Sequence, residues 1–386
     1  MRVLATTQPG SSVFFMMAPL LSALQASGHE VLVAASRRFG SIIRGIGLTH
    51  EPAGVDFLES SIAEAFPEMV QHLHDPHGAL VRFVVDVNVR RTTQQFAHDI
   101  APCIRRWKPD LLLHSSNEFG GPIAAEAAGV PHMMLLAGLD NWFDRFGPVL
   151  SGLDQFRTAV GLESVEGDPA WLFAQGLILA EVPGWSARSL ENLSVVWLRP
   201  VSPDQPSGNL EWLDQLPRPL VHVSLGTVFN KKGARPLFAA LARGAGTVAA
   251  SVVVTVGEDR DPDSFASLPP NVHLRRYIPL APLLQRTDAV LAHAGWGTLI
   301  ACVEAGVPLG ALVLGADHGY NALMLERAGC GFGLQPQSCT SEAAAEATHR
   351  LLVDPTLRAA ATRQQAALRG VPSPTDVAAL LAKQFG

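Results

Sequence analysis

Short apolar runs recur through this chain, each followed by a glycine-punctuated stretch with helical spacing, and few folds accommodate that alternation. Residues 2–6 read as a strand, 14–26 as a helix ending at Gly28, and 30–35 as a second strand, so the chain opens β-α-β. Residues 109–114 repeat the theme, followed by a helical stretch over 121–128, stopped by Gly129, and a strand over 131–136. A second series starts at 220–225 and continues through 251–256, 272–275, 288–292 and 308–313. Strands alternating with helices predict an α/β class with parallel sheets covered on both faces.

A chain of 386 residues is too long for one ordinary core and fits two domains. The breakers Pro200, Pro203, Pro206, Gly208, Pro217 and Pro219 mark a linker. The predicted organisation is a first Rossmann-like domain over 1–199, a linker over 200–218 and a second such domain over 219–371. A capped terminal helix over 372–386, introduced by Pro372-Ser-Pro-Thr-Asp376, is expected to pack back on the first. Two such halves imply a cleft between them.

Net charge is −6, with no long Lys or Arg run, which argues against nucleic acid or an anionic membrane as partner. No apolar run approaches the roughly 20 residues of a membrane helix. The N-terminus begins as a strand without a leader pattern, so a cytoplasmic location is expected. Cys103, Cys302, Cys330 and Cys339 show no Cys-x-x-Cys pairing, and neither a disulfide nor a metal site is expected.

Chemistry concentrates in the second half. His293-Ala-Gly-Trp-Gly-Thr298 joins a strand to a helix expected over 299–305. Gly295 and Gly297 let backbone approach an anion, and the opened helix aims free N–H groups at it. His293 adds a donor. Ligands of open parallel sheets bind beyond the carboxyl ends of the strands. The turn Ser224-Leu-Gly226-Thr227 therefore offers further donors, Tyr277-Ile278-Pro279 a ring to stack on a base, and Asp317 an acceptor for sugar hydroxyls.

These motifs, with Gly306-Val-Pro308 and Asp317-His318 at their spacing, resemble the donor domain of family 1 glycosyltransferases of the GT-B fold, especially bacterial enzymes acting on natural products. The signature covers about residues 288–321, and Gly28-His-Glu-Val31 and the Pro-containing terminal helix agree in outline. The resemblance implies that His293, Gly295, Trp296, Gly297 and Thr298 hold a diphosphate. It further implies Tyr277 and Ile278 on the base, Ser224, Gly226 and Thr227 beside the donor, and Asp317 with His318 on the sugar. Two positions depart from the pattern. His318 stands where Gln is usual, and Ala301 stands where a Glu often holds the ribose, leaving Glu304 as a substitute candidate.

The family's base dyad is replaced. By the alignment of residues 6–10 and 109–114, its His position falls on Val13 and its Asp position on Ser115, neither of which accepts a proton. Glu118 is the candidate catalytic carboxylate, with a helix-start role as the competing reading. Ser11, Ser12, Val13, Asp140 and Trp142 are the acceptor-binding candidates, and Phe143, Phe146, Trp171 and Phe173 extend an apolar wall or a core. His72, His74 and His77 have metal-like spacing but read better as a loop. His132 and His222 read as core histidines.

The resemblance implies an inverting, metal-independent glycosyltransferase that needs no cofactor beyond its nucleotide-sugar co-substrate. Its partners would be a TDP- or UDP-sugar and a small apolar acceptor; the oligomeric state, homodimer included, stays open. A catalytically reduced nucleotide-sugar-binding protein acting with a partner is the alternative, and an epimerase on the same scaffold a third. A dinucleotide dehydrogenase is disfavoured because residues 8–13 lack the Gly-x-Gly-x-x-Gly fingerprint.

Overall fold

A computed structural model describes residues 1–72, 83–145, 152–166, 168–201, 210–226, 234–257, 261, 262, 265 and 268–386. Two compact units divide the chain: Met1–Pro200 with Val371–Gly386, and Val201–Gly370.

The first unit contains β1 (Arg2–Thr6), α1 (Ser11–Ala26), β2 (Glu30–Ala35), β3 (Thr49–Pro52), α2 (Thr93–Trp107), β4 (Leu111–Ser115), α3 (Gly120–Ala127), β5 (His132–Leu136), α4 (Leu139–Arg145), β6 (Leu177–Leu179) and β7 (Val195–Trp197). Its strands form one parallel sheet in the order β3-β2-β1-β4-β5-β6-β7. Successive strand side chains point to opposite faces, so both must be covered. Val3, Ala5, Val33 and Leu113 pack with Phe14 and Leu20 of α1, while Leu4, Leu32 and Leu112 pack with Phe96, Ile100 and Ile104 of α2.

The second unit contains β8 (Leu220–Ser224), α5 (Arg235–Val248), β9 (Ser251–Thr255), β10 (Val272–Arg275), β11 (Ala289–His293), α6 (Trp296–Ala305), β12 (Leu309–Leu312), α7 (His318–Ala328), β13 (Gly331–Leu334), α8 (Ser341–Val353) and α9 (Pro355–Arg369). Its parallel order is β10-β9-β8-β11-β12-β13. In both sheets the chain builds outward from its first strand, then reverses, placing a switch point between β1 and β4 and between β8 and β11. The last helix, α10 (Pro374–Phe385), belongs to the first unit. Ser373 and Asp376 cap it reciprocally, and Val377, Ala378 and Leu381 enter the α1 side of the core.

Several elements differ from the sequence expectation. α6 starts at Trp296, not residue 299, because extended Gly295 (ψ 142°) is its N-cap and Leu299 N–H already donates to the Gly295 carbonyl at 3.1 Å. Part of the expected linker is not linker: Leu213 is buried with Leu220, Val253, Ile278 and Leu283, so this stretch belongs to the second unit's core. The strands β3, β6, β7 and β13 are short and lay outside the expected series. All four cysteines are free thiols. Among the described residues, no helix is long and apolar enough to cross a membrane.

Candidate active site

The carboxyl ends of the central strands of the second sheet lie in register. Ser224 pairs with Ala292 of β11 and Thr255 of β9, and His293 pairs with Leu312 of β12. Ala289 to Ala292 are fully buried, so the strand fixes where His293 emerges. Its ring lies against two glycines. A Cβ on Gly226 would come within 2.5 Å of Nε2, and one on Gly295 within 2.6 Å. Gly226 has a φ of +69°, which adds a second reason for glycine there. Burial, reinforced by the nearby His318 ring, pushes the His293 pKa down to about 3, so this imidazole is neutral, with a buried Nδ1 that has no hydrogen-bond partner.

Helix α6 opens beside that ring. Its first-turn N–H groups have no partner four residues earlier within the helix, and a Cβ on Gly297 would meet no atom within 4 Å. Open backbone, the first-turn amides and the positive end of the helix dipole make this a candidate anion site. Trp296 is buried, Gly297 exposed and Thr298 half-buried.

Helix α7 supplies the next wall. Asp317 is its N-cap, reached through Ala316 in the left-handed region (φ 52°). His318 accepts from the Leu314 N–H on Nδ1 at 3.2 Å, so its neutral ring carries the proton on Nε2. Burial lowers its pKa to about 4. The His293 and His318 rings lie 5.4 Å apart. Asn321, which sequence reasoning missed, braces the two turns: its Nδ2 donates to the Ala294 carbonyl at 2.8 Å and to Asp317 Oδ2 at 2.9 Å. Its one sequence signal is its position four residues beyond Asp317, one helical turn away.

Other expectations need adjustment. Gly226 N–H donates to Ser224 Oγ at 3.3 Å, so that hydroxyl serves its own turn. Thr227 lies outside the described residues. The Tyr277 ring is about half exposed, whereas the Ile278 side chain is a core residue and offers a base its backbone only. Glu304 lies eight residues beyond Trp296, roughly 12 Å along α6 from the anion site, beside the Gln365 amide that donates to its carbonyl. A ribose role for Glu304 does not fit that placement.

In the first unit, Ser11 and Ser12 are exposed on the first turn of α1, and Val13 is half-buried beside them. Glu118 is fully buried and accepts from the N–H groups of Gly120 at 2.6 Å and Gly121 at 3.0 Å. Burial pushes its pKa up to about 7 against those N–H groups. Its carboxylate is spent on the start of α3, which corrects the catalytic expectation. Asp140 is likewise engaged, accepting from Ala187 N–H at 2.7 Å and Arg188 N–H at 3.1 Å, so it anchors a turn and not an acceptor. Trp142 donates to the Ser116 carbonyl at 2.9 Å and stacks edge-on against Phe143 and Phe173, which makes it core. His222 is satisfied in the core by the Val253 carbonyl at 3.1 Å. His132 is buried against His114 and Trp171 with its Nδ1 unpartnered. Phe146, His74 and His77 lie outside the described residues.

The profile of the erythromycin biosynthesis protein CIII-like C-terminal domain matches residues 239–383, and that of the corresponding N-terminal domain matches residues 22–160. The L-demethylnoviosyl transferase of Streptomyces niveus is 32% identical over 345 residues, covering 86% of this chain and 85% of its own. The 3-alpha-mycarosylerythronolide B desosaminyl transferase of Saccharopolyspora erythraea is 27% identical over 409 residues, covering 98% and 96%. Among solved structures, the glycosyltransferase VinC in complex with dTDP superposes with a TM-score of 0.80 at 25% identity over 99% of each chain. With two parallel-sheet Rossmann-like units and both family domains matched, this chain belongs to the erythromycin biosynthesis protein CIII-like family of GT-B natural-product glycosyltransferases.

Proposed function

We propose that this glycosyltransferase moves a deoxysugar from a TDP-sugar to a hydroxyl of a small apolar natural product, with inversion at the anomeric carbon. The observation that carries the reading is the opened start of α6, where Gly297 leaves its space empty and a neutral His293 ring is packed between Gly226 and Gly295. A diphosphate there accepts from the amides of α6. As the bond to the sugar breaks, charge grows on the departing diphosphate, and those fixed donors stabilise it most at that moment. The same donors carry the load a divalent cation takes elsewhere, so turnover in EDTA is expected. Asp317, backed by the buried His318, takes the sugar, and Tyr277 stacks on the base. Relatives named for desosamine and demethylnoviose transfer, and a neighbour solved with dTDP, support the TDP-deoxysugar class over a UDP-sugar.

Calorimetry with TDP, UDP and a TDP-sugar tests this. TDP should bind, and Asp317→Ala should weaken the TDP-sugar more than TDP; equal losses for both would remove Asp317 from the sugar site. Proton NMR of the product reports the anomer formed, and retention would reject the displacement mechanism. A second reading, a donor-binding protein with reduced catalysis that acts with a partner, is favoured by Val13 and Ser115 at the expected dyad positions. Robust turnover by the purified chain alone rejects it.

A further inference from the structure

β1 ends at the switch point of the first sheet, so the turn leading into α1 lies where an open parallel sheet takes its ligand. Residues 7–13 of that turn hold neither a carboxylate nor an imidazole. Glu59 brings one from far along the chain. Its N–H donates to the Pro9 carbonyl at 3.1 Å, which fixes the backbone beside the turn. Its carboxyl lies over Gly10, so close that a Cβ at position 10 would come 2.0 Å from Oε2 and 2.8 Å from Oε1. Glycine at position 10 makes the room that the carboxyl fills.

Three carboxylates near the ends of β1, β4 and β5 can be compared. Glu118 and Asp140 each accept from two backbone N–H groups. Among the described residues, no side-chain hydrogen bond or ion pair engages the Glu59 carboxyl. It is half-buried, over the Gly10 that precedes the exposed Ser11 and Ser12 in the chain. A carboxylate in that position is left to act on whatever occupies the turn.

We propose that Glu59 is the general base of the transfer, standing in for the dyad that Val13 and Ser115 lack. The proposal rests on the glycosyl-transfer reading above. In the step, a Glu59 oxygen takes the proton of the acceptor hydroxyl as that oxygen bonds to the anomeric carbon. The bond from anomeric carbon to diphosphate breaks with its electron pair, TDP leaves, and the proton on Glu59 passes to water. Burial pushes the Glu59 pKa up to about 7, a value suited to accepting and releasing a proton near neutral pH.

The test uses TDP-rhamnose, a TDP-deoxysugar, with a series of substituted phenols spanning pKa values of about 7 to about 10. Glu59→Gln should lower kcat/KM for the least acidic phenol by about 10²- to 10⁴-fold, and far less for the most acidic, which is already ionised. It should also abolish the acid limb of the rate profile near pH 7 and leave TDP affinity unchanged. Gly10→Ala, which displaces the carboxyl, should reproduce that pattern, and formate should restore part of the activity of Glu59→Ala. A loss equal across all phenols, or none, overturns the role of Glu59 alone. A wild-type protein that turns over none of the phenols overturns it together with the transfer reading.

Discussion

Replacing Asn321 with Leu removes one amide that holds two loops together, and the structure sets the size of the effect. Asn321 is buried, and its Nδ2 serves both the Ala294 carbonyl and Asp317 Oδ2. Leu keeps the branched outline of Asn but is larger, so the loss of the donor sets the minimum cost and any crowding in this buried site adds to it. The bond to Ala294 matters more, because Ala294 is fully buried and its carbonyl would be left without that partner, at about 1–3 kcal/mol. Asp317 is only partly buried and can turn to water, so that bond is worth about 1 kcal/mol. The second unit should therefore lose about 2–4 kcal/mol, read as a lower urea midpoint at unchanged slope. The same loss releases the turn after His293, and TDP affinity should fall. Asn321→Asp should be worse still above neutral pH, where a new carboxylate would face the Asp317 carboxylate and a carbonyl oxygen. A Leu variant within about 0.5 kcal/mol of wild type, binding TDP equally well, would refute the brace.

Acidification should open the second unit first. Burial holds His222, His293 and His318 neutral with pKa values of about 4, 3 and 4 against the ordinary 6.5, and lowers His273 as well. Below pH 6.5 the unfolded unit binds more protons than the folded one, so its stability is full above 6.5 and declines as pH falls toward 4. In the first unit His114 and His132 act in the same direction, but Glu59 and Glu118, raised to about 7 from 4.5, take protons on folding in that window and oppose them, as does Glu181. Hydrogen exchange at pH 7 and pH 5, corrected for intrinsic rates, should show the larger gain in residues 220–334; a larger gain in residues 2–136 contradicts this. Gly226→Ala forces a left-handed φ on a Cβ and collides with the His293 ring, so it should cost about 1–2 kcal/mol of stability from the backbone alone, together with TDP affinity. Wild-type behaviour in both assays would reject the packing of His293 against that turn. Leu381→Ala, in the terminal helix, should cost the first unit about 2–5 kcal/mol in urea unfolding, and a cost below about 1 would detach that helix from the core.

The parallel sheets were legible because strands buried on both faces are written as unbroken apolar runs, as residues 289–292 are. The turn proposed to take an anion is legible as a candidate because all its parts, His293, Gly295 and Gly297, sit within five residues. What failed was contact across distance. Asn321 reaches Ala294 only because β11 and β12 lie side by side, and Glu59 reaches Gly10 only because the short segment after β3 folds back onto the turn after β1. Neither register nor fold-back is encoded locally. The errors on Asp140 and Trp142 share a cause: a polar and an aromatic residue after a strand look alike whether they face a ligand or tie a loop to its own core. The resemblance puts Ile278 on the base, while its side chain packs inward.

The central claim is that a diphosphate docks on the first turn of α6, and titration of TDP into Gly297→Ala by calorimetry tests it most directly. A Cβ at position 297 meets nothing within 4 Å in the free protein, so the fold should be unharmed, or stabilised by about 0.5–1 kcal/mol as expected for Gly to Ala in a helix. TDP, whose phosphates need that space, should bind at least about tenfold more weakly, a difference of about 1.4 kcal/mol. A well-folded Gly297→Ala protein that binds TDP as tightly as wild type would contradict the account.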